Sequence, residues 1–510
     1  MKTKLFLHCF IVFSLAINAQ EKYSVEVFPN RYRFSWETVG MSAEPDLGFI
    51  GIGYDLFHLV NKSSTVYVGI NSYSAMSGIR PGLITLGMSA GWSPQISNKG
   101  FYLDMGAFIG GGGGGNADDG GGLILRPHLV LEKRVGNLGL RLGVSRIDFP
   151  SGSITGNQVN VGVSFSGKNY FKVEDSEYEF VAPEKLNTSR LRVAMVGTQY
   201  FNLKEGSVPG NPNVEKVSLV GVQIERSFSD YSYGILKLNG AFSGGTDGYM
   251  SIFLGAGGKL PIVRNRLNVE GRFLFGPTGG GGIESGGGAT AQAEIGLSVL
   301  FRNGYDLKLM TGKTFSPWGP FETNHIEIGV GKSFDRLFPS KLDEGTTDFN
   351  VNAEEYSINH MAFSVYNRTY FPPDANDKGG VPYLSSFNLL GFEIQKYIGE
   401  RFSINGGTVW AYQGDYGAYA EGLLGATYHQ PIHEKWNVTV KGMFGAAGGG
   451  WLDLGGGLLF EYALGIERDL NKKWNLFLNI GKTQPLEGTF APVSLDFGLK
   501  FHINQLIKKN

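Results

Sequence analysis

Residues 141–163 read RLGVSRIDFPSGSITGNQVNVGV, and the phrase returns without a gap at 308–330, KLMTGKTFSPWGPFETNHIEIGV, and at 477–499, FLNIGKTQPLEGTFAPVSLDFGL. Gly152, Gly319 and Gly488 coincide, as do Gly162, Gly329 and Gly498. The copies stand roughly 167–169 residues apart. A period that long means one supersecondary design copied in tandem, and it decides the architecture before any single element does. Upstream of this phrase, each unit carries two oligoglycine runs that bracket an acid. They are GGGGGNADDGGG at 111–122, GGGGIESGGG at 279–288 and GGGWLDLGGG at 448–457.

Within a unit the governing pattern is alternation with period two, recurring about eight times, the mark of strands with two different faces. Ile50, Ile52, Tyr54 and Leu56 alternate with Phe49, Gly51, Gly53 and Asp55. Leu103, Met105 and Ala107 alternate with Tyr102, Asp104 and Gly106. Leu125, Leu129 and Leu131 alternate with Arg126, His128 and Glu132; Leu140, Leu142 and Val144 with Arg141, Gly143 and Ser145. One face is apolar, and the other mixes glycine with charge of both signs.

Glycine is 77 of 510 residues, yet aromatic residues reach 13%, which a disordered glycine-rich chain would not carry. Lys2 and Lys4, the apolar stretch Leu5 to Ala16 and Ala19 make residues 1–19 a secretion signal, too short to span a bilayer as a helix. The lone cysteine, Cys9, sits inside it, so the mature chain is expected to have no disulfide. Without the two signal lysines, 43 basic residues face 46 acidic ones, which is no nucleic-acid footprint. No later apolar run is long enough for a transmembrane helix.

A sandwich in water would bury the same apolar face, but three features favour a membrane barrel. Long Gly/Pro-rich tips, such as ETVGMSAEPD at 37–46 and YFPPDANDKGGVPY at 370–383, alternate with short turns such as VRNR and FRNG. The polar face carries both signs, as an enclosed network requires. The last strand, Val493-Ser494-Leu495-Asp496-Phe497-Gly498-Leu499-Lys500-Phe501, resembles the assembly signal of outer-membrane proteins, although here Asn504 to Asn510 follow it. Over its whole mature length the chain resembles, in pattern, the outer-membrane β-barrel proteins of Gram-negative bacteria. That resemblance implies the lipid bilayer and the outer-membrane assembly machinery as partners, with periplasmic N- and C-termini.

The fold expected is all-β, a transmembrane antiparallel β-barrel in three tandem eight-stranded units. The boundaries are 1–19 for the signal, 20–171, 172–338 and 339–510 for the units. Eight strands close the smallest barrel, whose interior side chains just fill, whereas 24 strands would make one wide barrel. Three fused small barrels are favoured over one 24-stranded barrel on two grounds. The stretches between units, near 170–188 and 336–356, are long and charged. Similar short arms (YSVEVFPN, YEFVAPEKL, DFNVNAEEY) open all three units. The inward residues agree. Asp55, Glu225 and Glu393 fall at equivalent places, Asn160 aligns with Glu327 and Asp496, and Asp104 with Glu270. Arg141 matches Lys308, and Arg272 and Lys441 stand beside them. With Arg126 and Glu461 these form a candidate interior network, since buried charges persist only when paired.

The oligoglycine–acid element falls between the fifth and sixth strands. Gly112, Gly113, Gly114, Gly115 and Asp118 correspond to Gly279, Gly280, Gly281 and Glu284, and to Gly448, Gly449, Gly450 and Asp453. Calcium would need adjacent nonapeptide turns, which a single acid per unit does not supply. Close packing of one unit's backbone on another, or a bent lid, fits better. GKT at 312–314 and 481–483 lacks the earlier glycine of a phosphate loop. His429 and His433 flank Pro431 without a third ligand and read as a turn. No nucleophile–base set clusters. The expectation is a non-enzymatic outer-membrane protein without cofactor, structural or interacting through its loops; the alternative is a porin-like channel or transporter.

Overall fold

The computed structural model describes residues 22–41, 44–61, 64–172, 188–264, 266–337 and 348–509. The signal segment 1–19 with Cys9 lies outside them, as do most of the two stretches between units, the arm YEFVAPEKL included. The first group of strands is β1 (Lys22–Val39), β2 (Leu47–Asn61), β3 (Ser64–Ser77), β4 (Ile84–Trp92), β5 (Gln95–Ser97), β6 (Phe101–Gly113), β7 (Ile124–Val135), β8 (Leu138–Asp148) and β9 (Thr155–Lys172). The second is β10 (Thr188–Phe201), β11 (Lys216–Ser227), β12 (Ser232–Ser243), β13 (Met250–Val263), β14 (Leu267–Gly279), β15 (Ala289–Leu300), β16 (Tyr305–Phe315) and β17 (Glu322–Leu337). After the short arm β18 (Asp348–Asn352) come β19 (Tyr356–Phe371), β20 (Phe387–Ile398), β21 (Phe402–Gln413), β22 (Ala420–His433), β23 (Trp436–Gly448), β24 (Leu458–Asp469), β25 (Trp474–Pro485) and β26 (Val493–Lys508).

The sheet is antiparallel and closed, with 26 strands among the described residues. Within each group the strands pair with their neighbours in sequence, β6 pairing with β4 while β5 adds alongside. The ladder also returns on itself within each group. β9 pairs with β1, placing Val163 opposite Phe34. β17 pairs with β10, Val330 opposite Met195, and β26 pairs with β19, Leu499 opposite Val365. Further pairings stitch the groups together: β1 with β18, β26 with β9 at Gln505 and Phe171, and β17 with β26 at Arg336 and Ile507.

The alternation sets the faces. Along β8, Leu140, Leu142 and Val144 are 53–58% exposed while Arg141 is 7% exposed. Leu129 and Leu131 point outward, and Glu132 between β7's outward positions is buried. An exposed apolar surface this extensive, Ile295, Leu309, Ile328, Tyr462, Leu464 and Ile480 included, belongs against lipid. The long connections gather at one end, the loop end, and the short turns at the other, the turn end. Both described termini lie at the turn end. The segment His429–His433, expected as a turn, is instead the end of strand β22. Pro431 is tolerated at a register irregularity opposite Asn437, and His429 points inward, 3.0 Å from Ser403 Oγ.

Inside each group, near the loop end, lies a cap of large apolar side chains. Phe49, Tyr73, Phe108 and Phe149 form the first, and Tyr200, Tyr249 and Phe321 the second. Tyr370, Phe387, Tyr419 and Phe490 are at the heart of the third.

Candidate functional site

Beneath the caps, the inward charges meet across each interior. In the first group the Arg31 guanidinium lies 2.9 Å from Asp55, 2.9 Å from Asp104 and 2.8 Å from Glu132. Arg141 reaches Asp104 at 2.7 Å and Arg33 reaches Asp55 at 2.8 Å. Arg126 holds Glu37 at 2.8 Å, closer to the loop end. In the second group Arg192 lies 3.0 Å from Glu225, and Lys308 bridges Glu225 at 2.9 Å and Glu270 at 2.6 Å. Arg272 and Lys237 share Glu294 and Glu327, with His325 2.8 Å from Glu294. In the third group Arg368 gathers Glu421 at 3.2 Å, Glu461 at 2.5 Å and Asp496 at 2.7 Å. Lys441 pairs with Glu393 at 2.6 Å, and Lys500 with Glu467.

All thirteen interior candidates from the sequence face inward, in three separate networks rather than one. Sequence reading missed the residues that hold them together: Arg31 and Arg33 on β1, Arg192 on β10 and Arg368 on β19. Arg31 and Arg192 stand directly opposite Asp55 and Glu225, but the partner of Glu393 is Ser364. The third group carries its arginine four residues further on, and that shift hides the correspondence. Glycine supplies the room. A Cβ at Gly331 would lie 2.7 Å from the Arg192 guanidinium, and one at Gly69 would meet the Asp55 carboxylate.

The oligoglycine elements meet a neighbouring group in cyclic order. Gly111 of the first packs on the backbone of the third, where a Cβ would lie 2.6 Å from the Ala411 carbonyl oxygen and 2.7 Å from that of Trp410. Gly279 of the second abuts Gly82 of the first, and Gly448 of the third abuts Gly248 of the second, so closely that a Cβ at either would overlap backbone. Gly112 and Gly113 extend the first contact, where a Cβ would lie 3.0 Å from the Trp410 ring and 3.1 Å from the Ala418 amide, whereas Gly114, Gly115, Gly280, Gly281, Gly449 and Gly450 pack on the backbone of their own group. The turn that follows is left-handed in all three, at Asn116 (φ 55°), Gly282 (φ 72°) and Trp451 (φ 59°).

Two of the bracketed acids tie down their hairpins through the carboxylate, and Asp118 does so through its backbone. The Asp453 carboxylate accepts from the Thr489 amide and hydroxyl, both at 3.0 Å. The Glu284 carboxylate accepts from the Gly286 amide at 3.0 Å, and the Asp118 carbonyl accepts from the Ser153 amide at 3.0 Å. No group of metal-ligating side chains occurs among the described residues. Asp119, next to Asp118, is nearly buried where the first hairpin meets Gly417 of the third group. Burial pushes its carboxyl up to about 6, against the opposing donation from the Gly114 amide at 2.8 Å, with the Asp118 charge adding to the rise.

No protein-family model matches the chain, and no curated protein matches it in sequence. Its structural neighbours are outer-membrane β-barrel receptors and channels at low sequence identity. The siderophore receptor PirA from Acinetobacter baumannii is 9% identical with a TM-score of 0.28, covering 94% of this chain and 80% of that one. PirA from Pseudomonas aeruginosa is 10% identical, with a TM-score of 0.28 and coverage of 93% and 80%. OccK11 (OpdR) of Pseudomonas aeruginosa is 11% identical, with a TM-score of 0.21 and coverage of 95% and 96%. Superpositions this loose carry no argument about ligand or mechanism.

Proposed function

We propose that the chain is a non-enzymatic, integral outer-membrane protein built of three closed eight-stranded barrels fused in tandem, none of them a pore. Its role is structural, or it engages partners through its loops. The observation that carries this reading is the filling of each interior. A paired charge network crosses the lumen, and an apolar cap stands above it. An eight-stranded barrel has room for its own side chains and little else. We take 20–171, 172–338 and 339–510 as the bounds of these barrels.

Channel or transport function through one large barrel is the second reading, for which the single closed sheet of all 26 described strands speaks. Single-channel recording of the refolded mature protein in a planar bilayer separates the two. Three plugged barrels insert silently; large, steady openings would reject the closed reading and make transport the leading function.

A further inference from the structure

Between the three strand groups, outside all three interiors, lies a cavity of about 2910 Å3. That is roughly three times the upper end of ordinary small-molecule pockets, about 300–1,000 Å3. Its walls are the outward faces that the groups turn toward one another. Ile52 and Ile70 come from the first, Val193 and Val222 from the second, Ile394 and Ile404 from the third. Towards the loop end, Ile84, Met250 and Ala420, one from each group at equivalent places, converge on Trp410 beside the glycine contacts. Towards the turn end the equivalent Tyr170, Leu337 and Leu506 converge in another apolar cluster.

The polar lining is lopsided. Lys332, Arg336 and Lys396 line the cavity within a few residues of the turn end, as does Arg226, while the lining cations at the loop end, Arg80 and Lys378, are taken up by Glu44 and Asp247. Lys332, Arg336 and Lys396 pair with no carboxylate among the described residues. Lys332 lies 4.7 Å from the centre of the Tyr305 ring, Lys396 5.7 Å from that of Phe334, and Arg336 donates to the Asn169 side-chain oxygen at 2.9 Å. The nearby acids are engaged elsewhere. Glu393 faces inward on Lys441 at 2.6 Å, and Asp335 holds Arg190 at 3.0 Å. The other lining carboxylates, Asp119, Asp247, Glu284 and Asp415, belong to the loop end, and Glu421 is held by Arg368.

From this juxtaposition we infer that the cavity is a binding site for an anionic phospholipid. Its acyl chains lie among the apolar walls, and its phosphate rests at the turn end against Lys332, Arg336 and Lys396. Empty, such a volume would leave the facing apolar walls without contacts, and filled with water it would solvate aliphatic side chains. Acyl chains satisfy the walls, and a phosphodiester supplies the charge that the three cations lack.

The inference rests on the three-barrel reading, so its test includes a check on that reading. The full mature chain, carrying cysteines in place of Val365 and Leu499, which face each other across β19 and β26 outside the cavity, is reconstituted with equal amounts of phosphatidylglycerol and phosphatidylethanolamine. It is then washed in detergent, and retained lipid is counted by native mass spectrometry. At least one phosphatidylglycerol per chain is expected to survive, in at least tenfold excess over phosphatidylethanolamine. Lys332→Gln/Arg336→Gln/Lys396→Gln should abolish that preference, and Val222→Asp/Ile394→Asp, which sets charge among the apolar walls, should remove the retained lipid. Equal retention of the two lipids by the unsubstituted walls overturns the proposal without recourse to either variant. So does retention indifferent to the charged wall substitutions. If the Val365/Leu499 disulfide fails to form in the same sample, the three-barrel reading has fallen instead.

Discussion

Arg368 shows what a single residue does in this molecule. Its guanidinium sits among three carboxylates, Glu421, Glu461 and Asp496, with its side chain 1% exposed. Removing one partner of such a cluster strands uncompensated charge and costs about 3–5 kcal/mol, whereas an exposed pair is worth about 0–1 kcal/mol. Arg368→Met is therefore expected to lower stability against urea in detergent by the larger amount. Arg190→Met, which removes the half-exposed partner of Asp335, should change it by no more than the smaller one. Asp119 gives a pH signature. Its folded carboxyl titrates at about 6, above its ordinary value near 3.8, so the folded state binds more protons between those values. Stability should fall as pH rises from about 4 to about 6. Asp119→Asn, which has no charge to desolvate, should flatten that slope in melting curves taken across this range. At this scale the sequence was informative about the acids and about Arg126, Arg141, Arg272, Lys308 and Lys441, and silent about the arginines on the first strand of each unit. Asp55, Glu225 and Glu393 align by count, but Arg31, Arg192 and Arg368 do not, because insertions in the first long loop and the displaced arginine of the third unit break the register.

Among the elements, the glycine hairpins distinguish this chain from a row of unrelated barrels. Gly448 approaches Gly248 of the preceding unit so closely that one methyl group overlaps backbone, while a Cβ at Gly442, six residues earlier on the same strand, meets nothing within 4 Å. Gly448→Ala should weaken the contact between the second and third units by about 1–3 kcal/mol, the usual cost of overpacking. Gly442→Ala should not. Spin labels placed on the loop ends of those two units would report a broadened distance distribution for the first variant only, and identical distributions would remove close packing as the reason for these glycines. The repeated phrase located these elements, because glycine at one place in all three units demands a shared cause. Their cyclic pairing was not legible, since a linear repeat does not say which neighbour a hairpin faces. The His429–His433 stretch reads as a turn because Pro431 denies it a helix and no third ligand stands near, yet a register irregularity lets the strand continue through the proline.

Across the whole molecule, the alternation and the threefold repeat together made the all-β, lipid-facing class readable. The choice between one wide barrel and three narrow ones depends on which strands close each ring, and strand pairing across 130 residues leaves no local mark. The account's central claim is that β9, β17 and β26 each return to the first strand of their own unit. Outward-facing cysteine pairs test it directly in a mature chain that otherwise has no cysteine: Phe34 with Val163, Met195 with Val330, and Val365 with Leu499. The account predicts a disulfide within each of the three pairs on mild oxidation, seen as three independent shifts on denaturing gels. A single 24-stranded barrel would instead leave all three pairs unlinked and join cysteines at Phe34 and Leu499, and that result would contradict it.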